Sequence, residues 1–338
     1  MTAALLRRFH RNVILFIGLA VAAVMTGIYV VIDSIGSLLV MRVGYGIGFG
    51  MASTILPTLV SQIIPGKRMG EGIGYFGLST SLAMSIGPII GLNVMKQYGF
   101  NTLAMLGTVI VILIIPILLI CRSIPADPNK NKRQVSNSSK PIKRPFNRKI
   151  WFPALLNVFL AVTYSGLLSF IALFGEAVHL SQVGLFFLFN AITIIIIRPI
   201  SGRVFDSKGH AAVLIPAAIS VVASLIVLSY ATSMPLLILS ALLYGLGFGA
   251  IQPTIQAWML RSGTQEQYGT ANSMFYNSTD LGVAAGAIIL GAISSASSYA
   301  MMYRISAGFM IMFLILYVGA RWFTESHRVK ANERQESI

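Results

Sequence analysis

Tyr45-Gly46-Ile47-Gly48-Phe49-Gly50 returns almost unchanged as Tyr244-Gly245-Leu246-Gly247-Phe248-Gly249, at an offset of 199 residues (244 − 45). The same offset, with no gap, aligns Phe76, Ser79, Thr80, Leu82 and Gly87 with Phe275, Ser278, Thr279, Leu281 and Gly286. Chance can give one such match between apolar, glycine-rich segments. Two clusters in one register point to an internal duplication. The copies sit in a chain of 338 residues of which 56% are hydrophobic and 10% charged, against about 25% charged in soluble domains. A soluble fold cannot hide so much apolar surface, because a sizeable part of any folded chain faces water. A lipid solvent removes that difficulty.

Outward from the repeat, ten stretches approach the length of about 20 residues that a spanning helix needs. They run roughly over 12–32, 36–62, 70–95, 101–121, 152–175, 182–200, 211–231, 234–260, 268–292 and 300–322. Helix is forced, since lipid offers no partner to open backbone groups, and the short alternating segments of a β-barrel are not seen. The expected fold class is an all-α integral membrane protein made of two pseudo-symmetric helical bundles, four helices and then six. Its expected parts are 1–121, an N-terminal bundle; 122–150, a basic linker; 151–322, a C-terminal six-helix bundle; and 323–338, a tail. The second half begins near Trp151, whose counterpart 199 residues earlier falls before Met1. About 50 residues, enough for two spans, are therefore expected to be missing ahead of the first bundle.

The net charge of +15 does not read as a nucleic-acid footprint, because the basic residues form no face or stripe; they sit in the breaks between apolar stretches. With both termini cytoplasmic, the inner loops hold Arg7, Arg8, Arg11, Lys67, Arg68, the 121–150 loop, Arg198, Arg203, Lys208, Arg261 and the tail, and the outer loops only Lys96 and Arg304. That asymmetry obeys the positive-inside rule and predicts a cell (inner, cytoplasmic) membrane location. The polar, proline-bearing 122–150 segment carries nine Lys or Arg against Asp127, as a flexible linker would, and lipid headgroups suit it. Cys121 is alone, which excludes a disulfide within the chain. The apolar run from Val13 is too long for a cleavable signal.

Three motifs resemble those of the major facilitator superfamily, and within it the proton-coupled exporters, over essentially the whole chain. The first is the family's G-x-x-x-D-x-x-G-R loop: Gly202-Arg203-Val204-Phe205-Asp206-Ser207-Lys208-Gly209-His210 follows it, after Arg198-Pro199. The first-half copy, Ala3 to Arg11, has Ala3, Arg7 and His10 at the Gly, Asp and Gly positions. The resemblance implies a gating role for Gly202, Arg203, Asp206 and Gly209, the acid facing a helix N-terminus and the basic groups reaching carboxylates. The second motif, Arg42-Val43-Gly44-Tyr45-Gly46-Ile47-Gly48, is similar to the family's R-x-x-Q-G-x-G, with Tyr45 at the Gln position. It implies proton coupling or substrate binding at Arg42 and Tyr45; the alternative is that Arg42 snorkels to the surface. The third, Gly77 with Gly87-Pro88-Ile89-Ile90-Gly91, resembles the signature of antiporters and implies export. Its small residues allow close helix approach and its proline a bend; the second half keeps Gly286 but has Ala287 in place of the proline.

An acid inside a span is a functional candidate, and Asp280 lies mid-span beside Asn272, Asn277, Ser278 and Thr279. Asp280 can carry a proton or pair with Arg42 or a cationic substrate; the alternative is a polar clamp between helices. Tyr164, Asn190 and Gln252 are further candidates to line a cavity with Asn277. The histidines lack metal-ligand spacing, no G-x-x-x-x-G-K-[ST] loop is present, and no Ser/His/Asp set suggests an enzyme. The expected function is proton-coupled efflux of small molecules by alternating access, with the proton gradient in place of a cofactor. In that scheme Asp280 and an acid in the missing helices bind protons, Arg42 tunes them, and substrate and proton compete for the same cavity. The expected partners are a small-molecule substrate and the bilayer, with no nucleic acid, and the working unit a monomer. Two alternatives remain: an uptake symporter of the same fold, and a truncated, non-transporting membrane protein.

Overall fold

The computed structural model describes residues 11–31, 34–120, 148–180 and 182–336. The expectations placed on 1–10, on Cys121 and on the 122–147 part of the linker lie outside the described residues, as does the Pro88 side chain. The helices are α1 (Arg11–Ile28), α2 (Ile35–Ile63), α3 (Met69–Ile120), α4 (Trp151–Ala177), α5 (Leu185–Lys208), α6 (Ala211–Ser229), α7 (Met234–Arg261), α8 (Tyr268–Ala296) and α9 (Tyr299–Glu336). Gly99, at φ 81°, breaks α3 into two arms, a backbone setting that glycine adopts without strain. Eight described helices are long and apolar enough to cross a membrane, the second arm of α3 among them, while Asn12–Ile28 is apolar but shorter. The chain is an all-α, multi-pass membrane protein.

The duplication holds at the level of single helices. Starts recur 199 residues apart: α2 and α7 at 35 and 234, the two short 3₁₀ turns at 66 and 265, α3 and α8 at 69 and 268. The break at Gly99 corresponds to Ser298, between α8 and α9. Packing repeats too. A Cβ on Gly48 would lie 2.8 Å from the Ala22 nitrogen of α1, and one on Gly247 would lie 3.1 Å from the Val221 nitrogen of α6. Ala22 and Val221 are themselves 199 apart. The middle glycine of the Tyr-Gly-x-Gly-x-Gly repeat is thus a close-packing point in both halves, while Gly46 and Gly50, unlike Gly245 and Gly249, meet nothing within 4 Å of their Cβ positions.

By contacts the residues form two units that do not follow chain order. One is Met1–Gly66, Ile86–Ile150 and Leu260–Tyr276; the other is Lys67–Ser85, Trp151–Met259 and Asn277–Ile338. In the first, Ile14, Leu15, Leu19, Ala52, Ile55 and Leu59 make a core between α1 and α2, covered by Ile114, Ile115 and Leu118 of α3. In the second, α8 lies on α4 through small residues: a Cβ on Gly282 would sit 2.7 Å from the Val158 carbonyl oxygen, and one on Gly286 2.9 Å from the Ser165 Cβ. Lipid supplies no hydrophobic drive between helices, so such intimate packing and a few hydrogen bonds hold the bundle. Asn157 Nδ2 adds two bonds, to Ser278 Oγ (2.9 Å) and Thr279 Oγ1 (2.8 Å). Ser224 and Ser240 clasp α6 to α7, each hydroxyl donating to the other's carbonyl at 2.7 and 3.0 Å.

Gly282→Val is expected to force α4 and α8 apart, since its methyls meet backbone that cannot rotate away. Overpacking of this kind costs about 1–3 kcal/mol. Thermal stability in detergent, read by size-exclusion chromatography after heating, should fall clearly below that of Gly291→Ala, whose Cβ meets only the Phe170 ring at 3.3 Å.

Candidate functional site

The motif expected as a loop at 202–210 is for the most part helix: α5 continues to Lys208, and only Gly209 and His210 form the turn. Apolarity stops near Ile200 but helical hydrogen bonding does not, because the last two turns pack on another helix. Gly209 ends the helix at φ 80° with its N–H donating to the Phe205 carbonyl at 2.9 Å. Asp206 Oδ1 accepts from the Gly70 N–H (2.9 Å) and Oδ2 from the Glu71 N–H (3.0 Å). These are first-turn amides of α3 with no partner inside their own helix, and the carboxylate also meets the positive end of the helix dipole. Arg203 Nε donates to Glu71 Oε1 at 2.9 Å. Gly202 permits the approach, for a Cβ there would lie 2.6 Å from the Gly70 carbonyl oxygen.

One turn further along α5 is the group that sequence reading misplaced. Arg198, assigned above to the inner-loop charge, is 2% exposed inside α5. Its Nη2 donates to Gln252 Oε1 of α7 at 2.7 Å. Its guanidinium lies over Gly77, where an added Cβ would be 2.9 Å from Cζ, and its carbonyl oxygen lies 2.9 Å from the Cβ position of Gly74. The signal was available: an arginine flanked by Ile194-Ile195-Ile196-Ile197 and Ile200 cannot be a loop residue without breaking an apolar run.

The remaining candidates divide. Tyr164 is buried and stacks on Phe248, centroids 4.8 Å apart. Asn190 is buried against the α7 glycine face, the Cβ position of Gly245 being 3.0 Å from its Oδ1, which finds no hydrogen-bond partner among the described residues. Asn277 and Asp280 are both exposed on one strip of α8. Asn272 is buried elsewhere, donating to Thr58 Oγ1 (3.4 Å) and Ser61 Oγ (3.3 Å) of α2. Arg42 is exposed, with Cζ 5.4 Å from the Tyr29 ring centroid, and Tyr45 stacks on Phe49 at 6.0 Å. Gly87 has no neighbour within 4 Å of its Cβ position, and Gly91 meets only Leu103 at 4.0 Å. Among the described residues no group of three or more His, Cys, Asp or Glu is placed to hold a metal.

His210 is also more than a loop residue. Its Nδ1 pairs with the Tyr317 hydroxyl at 2.5 Å, and its ring stacks on Trp258 at 4.2 Å. Burial, and then the positive charge of Arg321, hold its pKa below the ordinary value. The fold therefore favours neutral His210. Stability is complete above the ordinary histidine pKa of about 6.5 and is lost as pH falls from there towards the lower folded value. The unfolding temperature in detergent should be flat above pH 7 and drop as the pH falls below about 6.5, and His210→Gln should remove that part of the drop.

Membrane-spanning helices in two repeated sets, a carboxylate of the second set capping a helix of the first, and an acid in mid-span suit a multi-pass transporter. The profile of the Major Facilitator Superfamily matches residues 1–277 and 182–337; the chain belongs to this family. It is 24% identical over 297 residues to MJ1560, an uncharacterized MFS-type transporter of Methanocaldococcus jannaschii, with 86% of this chain and 76% of that protein covered. It is 20% identical over 292 residues to the staphylopine export protein of Staphylococcus aureus, covering 82% and 72%. Among solved structures, the human organic anion transporter MFSD10 superimposes with a TM-score of 0.72 at 17% identity, over 90% of this chain and 76% of the other. That likeness shows the fold.

Proposed function

We propose that the protein exports small molecules from the cytoplasm, driven by protons returning through the same cavity, with both termini on the cytoplasmic side of the cell membrane. The observation that carries this reading is Asp280, a carboxylate at membrane depth on an exposed strip of α8 shared with Asn277. A charge at mid-span costs about 2.5–3.5 kcal/mol even on the most lenient insertion scale. That strip is therefore lined by water, and an acid in a narrow wet cavity can take up and release a proton. Substrate and proton compete for Asp280, which couples the two flows in opposite directions. Tyr164, Asn190 and Gln252 line the path, and Arg42 and Tyr45 serve proton coupling or substrate binding, as their motif implies. The antiporter-type Gly77, Gly87, Pro88 and Gly91 support export over uptake, and so does the similarity to a staphylopine exporter. The Asp206 cap and Gly209 turn close the cytoplasmic end. The working unit is a monomer that needs no cofactor beyond the gradient and no nucleic acid.

Direction is tested with membrane vesicles of both orientations from expressing and control cells, incubated with a cytoplasmic small-molecule extract and read by mass spectrometry. Export predicts species enriched in everted vesicles of expressing cells alone. Enrichment confined to right-side-out vesicles would mean uptake.

A further inference from the structure

We propose that Arg198 is a positioning residue of the transport cycle: its guanidinium, seated on Gly77 and held by Gln252, locks the first arm of α3 to α5 and α7, and must leave that seat before the arm can move. The inference needs only that the chain works as a transporter of its family, and stands whichever way the cargo travels.

Three features carry it. The first is the face of α3. Gly70, Gly74, Gly77 and Ser81 recur at helical spacing on one side of the arm, and Ser81 is 3% exposed. Along α5 the partners run in the opposite sense: Gly202 and Asp206 at Gly70, the Arg198 carbonyl at Gly74, the Arg198 guanidinium at Gly77. Small residues let the two backbones approach closely.

The second is the way the guanidinium fits. An added Cβ at Gly77 would overlap the Nη1 of Arg198 and come within 2.9 Å of Cζ. Gly77 is thus a socket, and the absence of a side chain there is what lets a charged group stay buried. This gives the first glycine of the Gly77–Gly91 signature a task different from bending the helix.

The third is the bond to Gln252. The fork of an arginine is rigid and directional, so fixing Nη2 on Gln252 Oε1 fixes where Nη1 points. A hydrogen bond from a charged group is stronger than one between neutral groups, enough to hold the seat shut most of the time without making release impossible. Asp206 and Arg203 grip the very end of the arm; Arg198 grips it two turns further in, so the arm cannot peel away from its terminus alone.

The test uses the full chain in its membrane, with the native cysteine changed by Cys121→Ser and a reporter introduced as Ser81→Cys on the buried face. The rate of N-ethylmaleimide labelling reads how often the α3–α5 seam opens. Gln252→Leu, which removes the bond and keeps the bulk, should raise the rate by about tenfold or more. Gly77→Ala should do the same by ejecting the guanidinium. The decisive variant is the double change Gly77→Ala with Arg198→Gln. The shorter side chain leaves room for the methyl, so the double variant should label no faster than Arg198→Gln alone. Independent multiplication of the two single effects would overturn the proposal, because it would make Gly77 an ordinary packing glycine. An unchanged rate in Gln252→Leu would overturn it as well, and that variant alters neither the socket nor the charge, so a folding failure of Gly77→Ala leaves the test intact.

Discussion

Asp280→Asn is expected to abolish gradient-driven accumulation in everted vesicles while leaving the protein folded and in the membrane. Asparagine has nearly the same shape, and Asp280 is exposed on α8, so no core packing is lost. What is lost is the only change that matters for coupling: an amide cannot take up a proton at any pH of interest. Exchange of labelled against unlabelled substrate on the two sides requires no net proton movement, and it should survive in Asp280→Asn even though net transport falls to background. Intact accumulation in the variant would remove Asp280 from the mechanism. Loss of both activities would recast it as a binding or structural residue.

Asp206→Ala is expected to be the most damaging change at the α3–α5 contact. Its carboxylate accepts two backbone bonds at 2.9 and 3.0 Å. Each bond to a charged acceptor contributes about 1.5–3 kcal/mol, and the α3 dipole adds roughly 0.3–1 kcal/mol. At about 1.4 kcal/mol per tenfold, the closed arrangement should lose well over an order of magnitude in population. The neighbouring ion pair is a different matter. Arg203 is 66% exposed and Glu71 21%, and exposed pairs contribute about 0–1 kcal/mol. Labelling of the Ser81→Cys reporter should therefore rise steeply in Asp206→Ala, less in Asp206→Asn, which keeps one acceptor, and only slightly in Arg203→Ala. Equal effects of Arg203→Ala and Asp206→Ala would mean that charge pairing, and not the cap, holds the contact.

Much of the fold was legible because it is repeated. The glycine hexapeptide and the Phe76–Gly87 register gave the offset of 199, and the same offset relates helix starts and the break at Gly99 to their counterparts. Helix ends were less legible. Hydropathy ends a span where charge begins, and so it cut α5 near residue 200, eight residues before Lys208. The α5 residues past that point are held by packing on α3, which no local pattern reports. The same limit explains Arg198. Sequence shows an arginine near an expected membrane boundary; only the fold brings Gly77 and Gln252 to it, 121 residues before and 54 after it in the chain. Asp206 was readable as an acid seeking a helix N-terminus, but not as the cap of α3 in particular. Asn157 and Asn272 show the converse. Both are polar groups in spans, and both are spent on helix-to-helix hydrogen bonds, whereas Asp280 and Asn277 on the neighbouring turns stay exposed. Helical spacing separates the two classes only once the helix faces are known.

The most direct test of proton-driven export is accumulation in everted vesicles before and after nigericin collapses the pH gradient, with species from a cytoplasmic extract followed by mass spectrometry. One or more species should be enriched in expressing vesicles while the gradient stands, and released when it is dissipated. Enrichment that persists without the gradient, or no enrichment above control vesicles, would contradict it.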